Sequence, residues 1–301
     1  MDQVRPGHPD YDELRALFNS MIDRRPAVIA RCRNDTDIVD ALAFARAEGL
    51  EVAVRSGGHS VAGASTNDDG IVIDVRPMKG VEVDPATRRA RAYAGATWGE
   101  MDRATQEHGL ATTGGRVSTT GVAGLTLGGG SGWLERSFGL ACDNLVSVDL
   151  VTADGRRVTA SESENPELFW GLHGGGGNFG IATSLEFALR PLGPEVLAGL
   201  ALWPGDAGTD IARFFRNWAA TAPDELGGAL AFVVGPPEEF VPKHMQGTTC
   251  VGIVVLWSGD PDVGRDVVQT VKDLKPEVDL IGSMPYADFQ CMIDDPTGLR
   301  N

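Results

Sequence analysis

The sequence RSGGHS at residues 55–60 follows the strand-like run EVAV at residues 51–54 and places an imidazole directly after two glycines. Glycine lacks a Cβ and adopts positive φ freely, so a glycine pair indicates a tight turn or a close approach of the backbone to a bound group. A histidine alone in a loop is more often an ordinary solvated or core residue than a ligand. Two further glycine clusters along the chain favour the ligand interpretation for His59.

These clusters occupy residues 114–132 and 174–180. Flexible linkers are rich in glycine and serine and poor in apolar residues, whereas these glycines alternate with side chains that favour burial, such as Leu125 and Phe179. Glycine-rich backbone in a buried setting presents N–H groups that bind phosphate and amide-like oxygens. The pattern therefore predicts a cradle for a large polar ligand.

The glycines of residues 174–180 formally satisfy the G-x-G-x-x-G pattern of dinucleotide-binding folds. That fold requires a strand before the glycines and a helix after them. Here residues 165–170 begin a helix, with Asn165 as its N-cap, and residues 181–189 read as a strand. The order of helix, glycines and strand argues against a Rossmann fold.

Other catalytic signatures are absent from the sequence. There is no Gly-Lys-Ser/Thr ending for a P-loop, and the nucleophile-elbow pattern fails because Trp133 replaces the last glycine, which makes Ser131 a structural residue. The five histidines lie too far apart for a short metal-binding cluster, and ligation by distant residues stays open. The four cysteines form no C-x-x-C pair and no disulfide framework, which favours reduced thiols.

The 301 residues are 42% hydrophobic and carry a formal net charge of −16. Such a chain can bury a substantial core, and its length is typical of about two domains. The acidic surface repels nucleic-acid backbones and anionic membranes. The N-terminus has no apolar signal core, and no run is long enough to span a bilayer. We therefore expect a soluble, cytoplasmic protein with no nucleic-acid or membrane partner.

Strands and helices alternate through the first two thirds of the chain, which predicts an α+β fold with mixed sheets. One helix opens at residues 35–37 and ends near Gly49. Residues 145–159 read as a hairpin, because an Asp-Gly pair suits its tight turn. Two prolines and a glycine at residues 191–194 break any continuing element, so a domain boundary is predicted there.

Five segments in this order resemble the berberine bridge enzyme-like branch of the vanillyl-alcohol oxidase family, whose members carry a p-cresol methylhydroxylase (PCMH)-type FAD-binding domain. The segments are RSGGHS at residues 55–60, TGG at 113–115, LGGGSGW at 127–133, GLACDN at 139–144 and GGGGNFG at 174–180. The resemblance implies an FAD-binding domain of two α/β subdomains at residues 22–193. It also implies that residues 194–301 form a partial α+β substrate domain with an antiparallel sheet.

The resemblance implies that His59 is bonded covalently to the 8α-methyl group of FAD. Further FAD contacts are implied for Arg55, Ser56, Gly57, Gly58, Ser60, Gly114, Gly115, Thr120, Gly121, Gly124, Gly128, Gly180 and Ile181. Some relatives carry a second tether, a cysteine just before a Thr-containing glycine run; the matching residues 117–121 read VSTTG, so a single covalent attachment is expected. His173 stands where relatives often carry arginine, and Cys142 is expected to be a packed thiol.

The function implied is that of an FAD-dependent oxidase, which transfers hydride from a small organic substrate to FAD, with O2 as the re-oxidant. The substrate classes of relatives include alcohols, sugars and secondary metabolites. Relatives continue beyond the length of this sequence with a segment that supplies a catalytic base. We therefore expect an apparently truncated substrate domain, a sheet with an unpaired edge, and a base outside residues 1–301. The alternative is a truncated or degenerate flavin-binding protein without turnover.

Overall fold

The computed structural model describes residues 1–294 and divides into two compact units. Residues 295–301, and with them the end of the predicted second domain, lie outside the described residues. The first unit contains Met1–Gly132, Gly139–Pro191 and the segment that begins at Gln290, and the second contains Trp133–Phe138 and Leu192–Phe289.

Helices and strands make up most of both units. The strands of the first unit are β1 (Asp2–Val4), β2 (Val28–Arg31), β3 (Val52–Arg55), β4 (Ile71–Asp74), β5 (Val81–Asp84), β6 (Arg89–Tyr93), β7 (Leu110–Ala111), β8 (Leu145–Val151), β9 (Arg157–Ser161), β10 (Ile181–Ala188) and β11 (Arg190–Pro191). Its helices are α1 (Tyr11–Arg15), α2 (Asp35–Glu48), α3 (Trp98–Gln106), α4 (Val122–Leu127) and α6 (Pro166–Gly171). The second unit contains α5 (Glu135–Phe138), β12 (Glu195–Pro204), α7 (Gly208–Thr221), β13 (Leu226–Val234), β14 (Thr249–Trp257), α8 (Pro261–Lys272), β15 (Val278–Asp279), β16 (Gly282–Pro285) and α9 (Tyr286–Phe289). The predicted α+β class is confirmed.

The first sheet has the strand order β1-β2-β4-β3, and both β2 and β3 run parallel to β4. Helix α2 connects β2 to β3, and both of its ends agree with the sequence prediction. At its N-terminus the Asp37 N–H donates to Asn34 Oδ1 at 3.0 Å. At its C-terminus Gly49 takes the left-handed backbone with φ of 66°. The helix thereby delivers the chain into β3, directly before the glycine pair.

The second sheet has the order β5-β6-β10-β8-β9 and is antiparallel throughout. The predicted hairpin is formed by β8 and β9. Trp98 of α3 is fully buried and meets Phe187 of β10 edge-on, with ring centroids 5.8 Å apart. Helix α3 begins with a Thr97–Glu100 capping box, in which the Thr97 N–H donates to the Glu100 carboxylate at 2.7 Å.

The third glycine cluster lies between α6 and β10. A single 3₁₀ turn at Gly176–Phe179 separates the helix from the strand, so the order is opposite to that of a Rossmann fold, as predicted. The prediction for Asn165 was wrong in one respect. Asn165 occupies the N-cap position of α6, but its side chain donates to the Thr159 carbonyl at 2.7 Å and caps no helical N–H.

The second unit is an antiparallel sheet with the order β13-β14-β12-β15, and β16 also pairs with β12. The amphipathic helices α7 and α8 contribute Ile211 and Val268 to its core. Strand β13 lies at one end of this order and exposes Phe232 and Val234. Within residues 1–294, every helix is too short or too polar to cross a bilayer.

Candidate cofactor site

The loop that follows β3 is shaped by contact between two backbones. Gly58 has a φ of 76°, a conformation that L side chains rarely adopt. A Cβ added at Gly57 would overlap the Gly121 backbone nitrogen and lie 2.8 Å from the Gly121 Cα. A Cβ added at Gly121 would in turn overlap the Gly57 nitrogen. Glycine is therefore required on both sides of this contact, between the β3 loop and the start of α4.

The β3 loop also carries a run of unused backbone donors. The N–H groups of Gly57, Gly58, His59 and Ser60 donate to no acceptor within residues 1–294. Backbone N–H groups in a folded protein are nearly always paired, and successive unpaired ones form a concavity that suits anions. The loop is thus prepared to bind an anionic oxygen-rich group.

A cavity of about 620 Å³ opens beside this loop, entirely within the first unit. This volume lies in the range of about 300–1,000 Å³ that is usual for ligand pockets. A Cβ added at Gly124 or Gly177 would meet nothing within 4 Å, so these glycines keep the cavity wide. Its lining is Val52, Val54, Ser56, Gly57, Gly58, His59, Ser60, Ala64, Ser65, Val75, Thr120, Gly121, Ala123, Gly124, Leu125, Leu127, Gly177, Asn178, Gly180, Ile181 and Ala182. We call this space the glycine cavity.

Ten of the fourteen residues implied by the resemblance line the glycine cavity: Ser56, Gly57, Gly58, His59, Ser60, Thr120, Gly121, Gly124, Gly180 and Ile181. The structure therefore brings together segments that are more than a hundred residues apart in the sequence. It also gathers Val52, Val54 and Asn178, which the sequence reasoning did not single out. Alternation along β3 explains the two valines, because residues 52 and 54 share one face of that strand.

The other four implied residues, Arg55, Gly114, Gly115 and Gly128, lie outside the lining. The Arg55 side chain is buried; it donates to the Leu14 carbonyl and, at 2.6 Å, to the Ala16 carbonyl. Burial lowers the pKa of Arg55 to about 10, and the neighbouring Arg76 guanidinium acts in the same direction. Arg55 therefore connects the end of β3 to the C-terminal end of α1.

Two of the three glycines of this group have packing roles in the structure. A Cβ at Gly114 would lie 2.5 Å from the Trp98 ring, and one at Gly115 would lie 2.7 Å from Leu125. These two glycines let neighbouring elements pack closely together. Gly128 follows α4 as its C-cap, and a Cβ there would make only ordinary contacts.

His59 is the one titratable side chain in the described lining of the glycine cavity. Its Nε2 makes a 2.9 Å hydrogen bond with Thr119 Oγ1, and its Nδ1 lies 3.4 Å from Thr120 Oγ1. The ring of Phe18 stacks on the imidazole with centroids 3.8 Å apart. Burial lowers the pKa of His59 from 6.5 to about 4, and the nearby charge of Asp294 opposes this shift. The imidazole is therefore neutral at neutral pH and keeps a nucleophilic lone pair.

Sequence reasoning missed Phe18, Thr119 and Asp294 as neighbours of His59. Thr120 of the VSTTG run at residues 117–121 was predicted as an FAD contact, but the hydroxyl groups of this run are also hydrogen-bonding partners for an imidazole, a signal that could have indicated Thr119. Nothing in the local sequence points from Phe18 or Asp294 to His59.

Several residues considered from the sequence have structural contacts. Arg116 donates to Ser131 Oγ at 2.9 Å, and His173 Nδ1 hydrogen-bonds the Phe169 carbonyl at 2.7 Å. Cys142 is buried, and burial raises the pKa of its thiol. Among residues 1–294, no group of three or more His, Cys, Asp and Glu side chains could hold a metal ion.

A second cavity of about 640 Å³ in the first unit contains none of the glycine clusters. Its walls are charged, and the main cations are paired: Lys79 with Glu100, Arg91 with Asp149, and Arg157 with Asp35. We call it the charged cavity. Its size matches that of the glycine cavity, but three of its cations already have carboxylate partners.

Comparisons with known proteins identify an FAD-binding domain in the chain. The family model described as "FAD binding domain" matches residues 26–161. An uncharacterized FAD-linked oxidoreductase of Bacillus subtilis, YgaK, is 32% identical over 96% of this chain and 63% of its own length. (R)-6-hydroxynicotine oxidase of Paenarthrobacter nicotinovorans is 39% identical over 83% of this chain and 51% of its own length.

Solved structures give the same result. The crystal structure of 6-hydroxy-D-nicotine oxidase from Arthrobacter nicotinovorans matches with a TM-score of 0.87 and 31% identity, covering 96% of this chain and 62% of that one. The matching family model and the fold thus define an FAD-binding domain. The chain is similar to the FAD-linked oxidoreductases of the vanillyl-alcohol oxidase and PCMH type, as the sequence resemblance predicted. It spans between about half and two thirds of the length of these relatives.

Proposed function

We propose that this chain is an FAD-dependent oxidoreductase, with FAD in the glycine cavity and a single covalent bond from His59 to the 8α-methyl group. One observation carries the proposal. Four consecutive unpaired N–H groups adjoin a neutral imidazole in a glycine-lined space. Bound FAD would supply the hydride acceptor, and the protein would supply position and electrostatics.

Each part of the lining has a task in this proposal. The N–H groups of residues 57–60 would bind pyrophosphate oxygens, since the described lining contains no lysine or arginine for that purpose. Gly121 and Gly124 would allow close approach of the cofactor to α4. The apolar face of β3 would pack against a flat ring system. His59 would use its unprotonated nitrogen to form the covalent bond.

The proposed reaction is transfer of hydride from a small organic substrate to FAD, followed by re-oxidation by O2. Two relatives support a small-molecule substrate: one is the 6-hydroxynicotine oxidase, and the other is a xylooligosaccharide oxidase solved with xylobiose, at 26% identity and a TM-score of 0.78. The substrate would be an alcohol, a sugar or a secondary metabolite. We further propose a cytoplasmic location, supported by four free thiols, and domain bounds of 22–193 and 194–301.

One observation favours a second candidate, a flavin-binding protein without turnover. In the described lining of the glycine cavity, no titratable group other than His59 is present to act as a catalytic base. The proposed enzyme would therefore take its base from a residue outside the described lining. A chain that holds FAD but lacks a base would be yellow and inert.

The test is to purify the chain, precipitate it with acid, and measure the flavin fluorescence that stays with the denatured polypeptide. We expect retention by the wild type and release by His59→Ala. A flavin spectrum that bleaches with a candidate alcohol, sugar or amine, and returns in air, would support the oxidase over the inert alternative. A wild-type pellet without flavin would contradict the covalent attachment.

A further inference from the structure

A segment distant in sequence lies against the loop that holds His59. Within the first unit, Gln290 is 1% exposed, and its Nε2 donates to Asp102 Oδ2 at 2.9 Å and to the Gly115 carbonyl at 3.5 Å. The Ser118 N–H donates to the Asp294 carboxylate at 2.8 Å, across 176 residues of sequence. We call residues 290–294 the Gln290 segment and residues 115–120 the threonine loop. The first and the last residue of the Gln290 segment thus both contact the threonine loop, at Gly115 and at Ser118.

The threonine loop has a second support on its other side. The N–H groups of Trp98 and Gly99, at the start of α3, donate to the carbonyls of Thr120 and Ser118 at 2.9 Å each. Ser118 is therefore held through its carbonyl by α3 and through its N–H by Asp294. Fixing both backbone groups of one residue leaves the loop little freedom to rotate.

The residue after Ser118 is Thr119, whose hydroxyl bonds the imidazole of His59. Thr120 places a second hydroxyl near the other ring nitrogen, and Phe18 covers one ring face. Two nitrogens and a face together define the orientation of the imidazole. Any shift of the threonine loop would turn the ring of His59 relative to the glycine cavity.

We propose that Asp294 and Gln290 are positioning residues for flavin attachment, because they fix the threonine loop and thereby the orientation of His59. The proposal rests on the proposed covalent bond. In that step an imidazole nitrogen bonds to the 8α carbon of FAD, and the imidazole and that carbon each lose one proton. The two electrons released would reduce the flavin, and O2, the proposed acceptor, would take up these two electrons and two protons to give H2O2.

The first test separates binding from attachment. Asp294→Ala removes the acceptor of the Ser118 N–H, whereas Asp294→Asn keeps an acceptor oxygen and removes the charge. Asp288→Ala is a matched control, since Asp288 is exposed and only two residues before Gln290. Neither Asp294 nor Gln290 lines the described glycine cavity, so total FAD binding is expected to persist.

We expect Asp294→Ala to slow covalent incorporation of FAD by about tenfold, the effect of one charge-assisted hydrogen bond. Gln290→Leu is expected to act in the same direction, Asp294→Asn more weakly, and Asp288→Ala not at all. The measurement is the time course of acid-stable flavin in the chain incubated with FAD. Wild-type rates in both Asp294→Ala and Gln290→Leu would overturn the proposal.

A second measurement does not depend on flavin. Hydrogen exchange of the peptide that contains Ser118 is expected to accelerate in Asp294→Ala, but not in Asp288→Ala. The pKa of the His59 imidazole, followed by NMR, is expected to fall in Asp294→Asn because a nearby negative charge is lost. If the wild type attaches no flavin, the proposed function fails, while unchanged exchange at Ser118 would separately overturn the positioning role.

Discussion

The two cavities of the first unit have nearly the same volume, about 620 and about 640 Å³, and opposite chemistry. The charged cavity is the more polar in side chains, but three of its four cations, Lys79, Arg91 and Arg157, are already paired with carboxylates. The glycine cavity has a single titratable group in its described lining and four backbone donors without partners. The comparison teaches that unsatisfied donors, rather than volume or charge, mark a ligand site.

The largest expected effect is that of Gly57→Ala in the glycine cavity. The new methyl group would overlap the Gly121 backbone, which cannot move aside as a side chain would, so we expect destabilisation of about 3 kcal/mol or more and complete loss of bound FAD. Thermal denaturation and flavin content are the measurements. Gly124→Ala, which meets no atom within 4 Å, should keep the melting temperature and weaken FAD binding only. Gly282→Ala, also in open space, serves as a neutral control.

The next largest effect is a pH dependence of stability caused by Asp102, a buried carboxyl group that has, among the described residues, no cationic partner as close as those of the charged cavity's carboxylates. Asp102 is buried, and burial raises its pKa from 3.8 to about 7, with only a partial offset from Gln290. Between pH 4 and 7 the unfolded chain has lost this proton and the folded chain has kept it. The free energy of unfolding should therefore fall as pH rises, by at most about 1.4 kcal/mol per pH unit from this group.

Asp102→Asn should abolish that contribution. His59 acts with the opposite sign, since its lowered pKa makes the folded chain less stable as pH falls from 6.5 towards 4, so the informative quantity is the difference between variant and wild type. Urea unfolding at pH 5, 6, 7 and 8 measures it, with the exposed Asp40→Asn as control. A difference that does not change with pH would contradict the raised pKa of Asp102.

A smaller effect is expected from breaking the charged cavity. Burial acts to raise the pKa of Asp149, but hydrogen bonds from Thr159, Ser184 and Arg91 outweigh it and hold the pKa below 3.8. Asp149→Asn should lower the free energy of unfolding by about 1 kcal/mol at pH 7, because Arg91 loses its shorter ion pair in a partly exposed setting and keeps the longer one with Glu186. The loss should vanish as pH falls through the folded pKa. Acid-stable flavin should stay at the wild-type level; a drop would mean that the two cavities are coupled.

The smallest effect should come from Lys79→Ala. Lys79 and Glu100 are both well exposed, so their ion pair should contribute no more than about 0.5 kcal/mol. Chemical denaturation with and without 0.5 M salt, roughly enough to screen surface charges, measures this contribution. A loss of several kcal/mol in the free energy of unfolding would contradict this prediction and show that the Lys79–Glu100 ion pair is needed for the structure of the charged cavity.

Local signals predicted the framework correctly. The polar run at residues 35–37 and the terminal glycine predicted α2, the Asp-Gly turn predicted the β8–β9 hairpin, and the order of elements around residues 174–180 argued against a Rossmann fold. These features depend on neighbours within a few residues, which a sequence displays directly. The α+β class followed from them.

The details of the site depended on contacts that a sequence does not display. The buried direction of Arg55, the packing of Gly114 under Trp98, and the hydrogen bond from Ser118 to Asp294 each join residues distant in the chain. Asn165 was predicted to cap α6, and a strand carbonyl took its side chain instead. Which glycine lines a cavity and which merely permits packing is decided by tertiary structure.

The reciprocal contact of Gly57 with Gly121 has a genetic consequence. A side chain added at either position would overlap the backbone of the other position, and that backbone is present whatever residue the other codon specifies. A selection for suppressors of Gly57→Ala would therefore yield reversions at codon 57 itself, since no exchange of a facing side chain can restore the space. Substitutions at residues 57 and 121 are therefore expected to be selected against, because neither glycine can be replaced while the β3 loop and the start of α4 keep their contact.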